Sequence, residues 1–119
     1  MEKHNVITDI LFLAKRFYNG NNSMYSLLKD SGYFNTYNDI QELDLLSALS
    51  EHPEVINDWL LLSENKRTDS GYYFKQVKSG NYVVGFFSQN EGSKHNEYDN
   101  VQKACAAFIK KEIEEIRKS

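Results

Sequence analysis

Residues 72–88 read YYFKQVKSGNYVVGFFS, and this stretch decides the fold class. Two runs rich in aromatic and β-branched residues, at 72–77 and 82–88, flank Ser79-Gly80-Asn81, a pattern typical of an antiparallel β-hairpin. Either the last two of these turn residues form a two-residue turn, or the loop has four residues, 78–81. Because a lone hairpin is marginal in water, we expect it to pack on helices or to join another sheet.

The alternation of side chains along the two strands predicts the same two faces for either turn. One face would carry Tyr73, Lys75, Val77, Tyr82, Val84 and Phe86. The other would carry Tyr72, Phe74, Gln76, Val83, Gly85 and Phe87. Since neither face is clearly polar, we expect one face to be covered and the other to be partly wetted.

Helical spacing of apolar residues predicts four helices before the hairpin. The first covers residues 6–18 and the second Ser23 to Lys29. The third has Asn38 and Gln41 as a capping box. Its predicted buried stripe is Ile40, Leu43, Leu46 and Leu49. The fourth runs from Pro53 to about Leu62, because proline is tolerated in the first turn of a helix. It would bury Val55, Ile56, Trp59, Leu60 and Leu62.

After the hairpin, residues 89–100 read as a polar loop, and an amphipathic helix capped by Asp99 or Asn100 follows. Its apolar stripe consists of Val101, Ala104, Cys105, Phe108, Ile109, Ile113 and Ile116. The prediction is therefore an α+β fold with an N-terminal four-helix region, an antiparallel β-hairpin and a C-terminal amphipathic helix. We expect residues 1–119 to form a single domain.

Composition excludes several classes of protein. The 119 residues are 40% hydrophobic and 26% charged, which is ordinary globular usage and argues against disorder. A lone cysteine, Cys105, excludes an internal disulfide, and its place on the apolar stripe predicts a buried side chain. No signal-peptide core and no apolar run of membrane-spanning length is present, so we expect a cytoplasmic protein that does not engage a membrane.

The usual signatures of chemistry are missing from the sequence. The six glycines are isolated from one another, so no phosphate-binding loop is predicted. His4, His52 and His95 lie far apart in sequence, which gives no metal-ligand spacing. We therefore assign no catalytic residue, metal or cofactor. A net charge of −3 also argues against a nucleic-acid partner.

Charge is distributed unevenly along the chain. Residues 30–65 contain eight acidic residues and no lysine or arginine, a formal charge of −8 against −3 for the whole chain, which leaves +5 for the remainder. Complementary fields steer association. We therefore expect a non-enzymatic protein-binding domain that presents an acidic helical face to a basic protein partner. The predicted face consists of Asp39, Glu42, Asp44, Glu51, Glu54 and Asp58.

In size, acidity and lack of catalytic groups, the chain is similar to bacterial immunity proteins and other inhibitors that occlude basic enzymes. The likeness covers the whole chain in these general properties, and no motif defines such a family here. What it implies is a role as an inhibitor that binds its target by charge.

Two alternatives remain open at this point. The first is a small-ligand-binding domain or enzyme with a pocket between hairpin and helices. Its contact residues would be Lys66, Arg67, Tyr72, Tyr73 and Tyr82, although the polar segment around the first two also fits a surface connection. The second is an oligomerisation module, a possible homo-oligomer that adds the hairpin edge to a neighbouring sheet.

Overall fold

The structure, a computed structural model, describes residues 3–20, 22–65, 70–88 and 92–118. Within these ranges the helices are α1 Lys3–Leu11, α2 Leu13–Asn19, α3 Met24–Ser31, α4 Tyr33–Thr36, α5 Glu42–Glu51, α6 Ile56–Glu64 and α7 Val101–Lys118. Turns of 3-10 helix occupy Tyr37–Asp39 and Pro53–Val55. The strands β1 Ser70–Gln76, β2 Tyr82–Ser88 and β3 Gly92–Tyr98 form one antiparallel sheet in the order β1-β2-β3.

The first predicted helix is bent at Phe12, where α1 gives way to α2. The Phe12 backbone has a φ of −90° and a ψ of 5°. The indole N–H of Trp59 donates to the carbonyl of Leu11, next to the bend, at 2.9 Å. A donor that enters the main-chain ladder of a helix is a common cause of a kink. One continuous helix over residues 6–18 is therefore replaced by two shorter helices that are both held against the core.

The second predicted helix is confirmed as α3. The Ser23 side chain accepts a hydrogen bond from the Ser26 N–H at 3.1 Å, which caps the helix as Ser at this position usually does. Gly32 ends it with a φ of 91°, a left-handed conformation that favours glycine. The short helix α4 and the 3-10 turn after it were not predicted.

The third predicted helix begins later than the sequence pattern indicated. Its capping box is Gln41 with Asp44, whose carboxylate accepts from the Gln41 N–H at 2.8 Å, and the predicted box at Asn38 is wrong. The 3-10 turn occupies the residues that the prediction gave to the first helical turn. Leu45 and Leu49 are buried on one side of α5, whereas Leu43, on the opposite side from Leu45, is 70% exposed.

The predicted fourth helix starts with the 3-10 turn at Pro53 and continues as α6. Val55, Ile56, Trp59 and Leu62 are buried as expected. Leu60 is only half-buried, because it lines an open groove between α6 and β1.

The hairpin is confirmed, but both predicted turns are wrong. The Val77 N–H donates to the Asn81 carbonyl at 2.8 Å, and the Gly80 N–H donates to the Val77 carbonyl at 2.9 Å. This is a three-residue loop in which Gly80, at a φ of 93°, forms the bulge. Strand pairing therefore matches Gln76 with Tyr82.

The odd-numbered loop changes which side chains share a face. The face toward α7 carries Tyr72, Phe74, Gln76, Tyr82, Val84, Phe86, Asn96 and Tyr98. The outer face carries Tyr73, Lys75, Val83, Gly85, Phe87, His95 and Glu97. Both predicted sets are therefore wrong. The bulge residue shifts the pairing by one position, so each β1 side chain shares its face with the β2 side chains that the prediction had placed on the other face.

A third strand replaces most of the predicted polar loop at 89–100. Residues 92–98 pair with β2 along its whole length, from Gly92 opposite Ser88 to Tyr98 opposite Tyr82. Residues 89–91 lie outside the described part of the chain. The sheet thus has β2 at its centre, with β1 and β3 at its edges.

The last helix, α7, lies between the sheet and the other helices. The Asn100 side chain accepts from the Lys103 N–H at 3.0 Å, which confirms Asn100 as the cap. Six consecutive residues, 104–109, are buried, so the helix is enclosed on more sides than the predicted stripe required. On one side it packs against all three strands, and on the other against α3, α5 and α6. Phe108 joins the layers, with its ring centroid 5.6 Å from that of Phe74 and 6.2 Å from that of Trp59.

At its coarse level the α+β prediction is confirmed. Within the described ranges, six α-helices precede a three-stranded antiparallel sheet and a final helix, where the sequence predicted four helices, a two-stranded hairpin and a final helix. None of the described helices is both long enough and apolar enough to cross a membrane.

The loop geometry predicts a specific cost for replacing Gly80. A Cβ added there would meet nothing within 4 Å, so the cost of Gly80→Ala lies in the left-handed backbone alone. We expect G80A to lower the free energy of unfolding by about 1 kcal/mol, measured by urea denaturation. Because asparagine tolerates this conformation, G80N should lose less than half as much, and an equal loss in both variants would contradict the proposed turn.

Candidate functional site

The six carboxylates of the predicted acidic face are separated both along α5 and around it. Asp39 and Glu42 lie at the start of α5, whereas Glu51 lies at its end, about 15 Å away along a ten-residue helix. Within α5, a rotation of 100° per residue also sets Glu42 on the side opposite Asp44 and Glu51. Glu42 lies beside Tyr98 and Lys103, while Asp44 and Glu51 border a shallow depression with Lys3 and His4.

Two of the six carboxylates are engaged within the molecule. Asp44 caps α5 and also lies 3.3 Å from the Lys3 ammonium. Glu54 lies 3.6 Å from Nδ1 of His52. Among the described residues, no lysine or arginine forms an ion pair with any of the other four, Asp39, Glu42, Glu51 and Asp58.

Three of these carboxylates follow one another where α5 gives way to α6. Glu51 is the last residue of α5, Glu54 lies in the 3-10 turn, and Asp58 lies in the first turn of α6. Glu51 and Glu54 are exposed and Asp58 is half-buried. We call Glu51, Glu54 and Asp58 the acidic corner.

The predicted ligand contacts of the hairpin are not brought together. Tyr73 lies on the outer face of the sheet, whereas Tyr72 and Tyr82 lie on the face toward α7. The ring of Tyr72 packs edge-on against Phe86 at 5.0 Å. Lys66 and Arg67, the other two candidates, lie outside the described residues.

An open groove of about 700 Å³ lies between α6 and β1, and we call it the β1 groove. One stripe of α6, Asn57, Leu60, Leu61 and Glu64, forms its helix side. Tyr73, Lys75 and Phe87 form its sheet side, and Phe74, Gln76 and Ser63 complete the lining. The hydroxyl of Ser63 accepts the main-chain N–H of Phe74 at 2.7 Å and so ties the end of α6 to the edge of the sheet.

The two sides of the β1 groove each expose a large apolar side chain. Leu61 is 41% exposed and Phe87 is 44% exposed. The sequence analysis missed this site, although positions 57, 60, 61 and 64 have the spacing of one helical face. Only the position of β1 beside α6 turns that face into one side of a groove.

A cluster of polar side chains joins α4 to α7. The Tyr33 hydroxyl donates to Glu114 and accepts from the Lys110 ammonium at 2.9 Å, and Lys110 also donates to the Ile40 carbonyl at 2.6 Å. Arg117 holds Glu114 with two hydrogen bonds, of 2.8 and 3.1 Å, and stacks 3.8 Å from the centroid of the Tyr37 ring.

The charges in this cluster are mutually satisfied, which indicates a structural role. The hydrogen bonds of Arg117 lower the pKa of Glu114 to about 2. Burial, reinforced by the Glu114 carboxylate, raises the pKa of Tyr33, and burial lowers the pKa of Lys110. A tyrosine with a raised pKa and a lysine already bound to a carbonyl are poor candidates for acid–base work at neutral pH.

Cys105 is fully buried in α7, as predicted, and burial raises the pKa of its thiol. Reactive cysteines have the opposite character, with a lowered pKa and some exposure. In the part of the chain that the structure describes, no three His, Cys, Asp or Glu residues are grouped as metal ligands.

Comparison of this chain with protein-family models, with curated proteins and with solved structures finds no match. The candidate sites are therefore judged by their geometry alone.

The polar cluster predicts a pH dependence of stability. Because the pKa of Glu114 is lowered from 4.5 in the unfolded chain to about 2 in the folded one, its contribution is present above pH 4.5 and is lost as the pH falls toward 2. The side chain is 24% exposed, so we expect a loss of only about 1–2 kcal/mol over that window. Urea unfolding of Glu114→Gln should lack this component, and an equal loss in that variant would contradict the assignment.

Burial of Cys105 predicts a protected thiol. We expect its reaction with a disulfide reagent at pH 8 to be at least about a hundredfold slower in the native protein than in denaturant, because the chain must first open. A C105A/S79C variant, with its thiol in the exposed hairpin turn, is the control and should react at the rate of an unfolded chain. Fast labelling of native Cys105 would contradict the packing of α7.

Proposed function

We propose that this protein is a non-enzymatic protein-binding domain whose acidic corner meets a basic surface on a partner protein. The observation that carries the proposal is that Glu51, Glu54 and Asp58 follow one another through the turn from α5 to α6, with the first two exposed, and that no described lysine or arginine forms an ion pair with them. Apart from the contact of Glu54 with His52, their charges are available to a partner.

The position of Glu51 adds to this argument. A negative charge at the C-terminal end of a helix opposes the helix dipole, which costs about 0.3–1 kcal/mol. Glu114 on α7, by contrast, is held by Arg117 and Tyr33. A carboxylate in a locally unfavourable position, without an ion pair to any described lysine or arginine, favours a role outside the folded chain.

The charge balance of the chain favours a basic partner over an acidic one. Both α5 and α6 lie in the segment that contains no lysine or arginine, so the two helices that meet at the acidic corner carry carboxylates only. A basic protein would be drawn to this surface at a rate that falls with ionic strength, and acidic competitors would be repelled.

The test compares two triple variants that lose the same charge. E51Q/E54Q/D58N removes the acidic corner, and D30N/E42Q/E115Q removes three carboxylates from separate elements. In affinity capture from lysate of the source organism at low salt, the wild type and the second variant should retain a basic protein that salt releases. The corner variant should bind that isolated protein about tenfold more weakly.

Two outcomes of this comparison would overturn the proposal. One is a captured protein whose affinity is equal for the corner variant and the wild type. The other is a partner whose binding does not change between low and high salt. Urea unfolding of both variants checks that the fold is intact before binding is compared.

A further inference from the structure

The outer edge of β1 offers main-chain groups that the sheet does not use. In an antiparallel pair, alternate residues direct their N–H and C=O groups away from the neighbouring strand. The hydrogen bond from the Phe74 N–H to Ser63 identifies Phe74 as one of these outward residues, and Gln76, two positions on, is another. Within the described residues the outward main-chain groups of Gln76 have no partner, while its side chain donates to the Gly80 carbonyl.

Gln76 also lines the β1 groove, so these main-chain groups border an apolar depression. Across that depression, Leu61 and Phe87 expose large apolar surfaces from opposite sides. An unpaired strand edge beside exposed apolar side chains is the arrangement to which an extended polypeptide adds as a further strand.

Among the side chains that the structure describes, the opposite edge of the sheet is the more polar one. β3 exposes His95, Asn96 and Glu97 in succession, and polar or charged side chains on an edge strand hinder the addition of another chain. β1 also exposes Lys75 and Gln76, but there the edge borders the groove between Leu61 and Phe87. The edge of β1 is instead closed in its middle by Ser63 and left accessible at Gln76. Only a short stretch of the β1 edge, at Gln76, is therefore accessible for pairing with another strand.

The charged residues of the groove constrain what can occupy it. Glu64 lies on the helix side and Lys75 on the sheet side, where the Lys75 ammonium sits 5.6 Å from the centroid of the Tyr73 ring. A complementary segment therefore carries an apolar residue flanked by one basic and one acidic residue.

We propose that the β1 groove binds such an extended segment of a partner protein. The segment pairs with the main chain of Gln76 and places its apolar side chain between Leu61 and Phe87. Its basic side chain lies toward Glu64, and its acidic side chain lies toward Lys75. This contact goes beyond the acidic corner and does not depend on it.

Selection from a random twelve-residue peptide library against the folded protein tests the proposal. The enriched peptides should share an apolar residue with one basic and one acidic neighbour. Their affinity should fall at least about tenfold for Leu61→Asp, the loss expected when a charge faces an apolar contact. Leu43→Asp is the matched control, since Leu43 is exposed outside the groove, and it should bind as the wild type does.

Main-chain pairing is tested separately by methylating each amide nitrogen of the best peptide in turn. An added strand should lose binding when the N–H that meets the Gln76 carbonyl is methylated, whereas methylation of the amides on either side of it, which face away from β1, should have little effect. If L61D does not fold, Phe87→Ser on the outer face of the sheet takes its place. The E51Q/E54Q/D58N variant should bind the peptide normally, so failure here and failure of the acidic corner can be told apart.

The proposal is overturned if no peptide is enriched, or if the selected peptides bind L61D and the wild type equally. It is also overturned if methylation has the same effect at every position, because the peptide would then be held by its side chains and not by strand pairing. Finally, a dimer in sedimentation that L61D abolishes would show that a second copy of the chain fills the groove.

Discussion

The structure depends on the burial of α7 between two layers. A helix packed on one side needs a single apolar stripe, whereas α7 must contact the sheet and the other helices at once. The run from Ala104 to Ala107 meets this demand, because three alanines and a cysteine allow close approach on opposite sides of the helix. Phe108 then fills the space between Phe74 and Trp59. The position of β1 beside α6, and with it the β1 groove, follows from this arrangement.

Local signals in the sequence predicted most helices and the hairpin, but they did not predict which side chains share a face. The start of α3 at Ser23 and the cap of α7 at Asp99 or Asn100 were readable, because a cap acts through its own neighbours in sequence. The hairpin turn was not, since the sequence does not reveal whether Gly80 occupies a two-residue turn or a bulge. β3 was missed for a different reason. Its residues have little intrinsic preference for a strand, so its conformation comes from pairing with β2.

The candidate sites were predicted to a similar degree. The charge count located the acidic segment, but it did not show which sides of the helices carry the carboxylates. Glu42 and Glu51 are nine residues apart in α5 and therefore lie on opposite sides of it, which reduces the predicted continuous face to a corner. The stripe from Asn57 to Glu64 was visible as a helical pattern. That this stripe forms one side of a groove depends on β1 packing beside α6, and no local sequence pattern predicts that contact.

The order of elements has a consequence for synthesis on the ribosome. The helix that separates the two layers is translated after every surface that it covers, so a nascent chain that ends before Val101 has no helix over the inner face of its sheet, and α5 has only α1 beside it from the earlier helices at the core. Such a chain exposes apolar surface, the property by which chaperones recognise incompletely folded proteins. The core is completed only by the buried residues of α7, from Ala104 to Ile113.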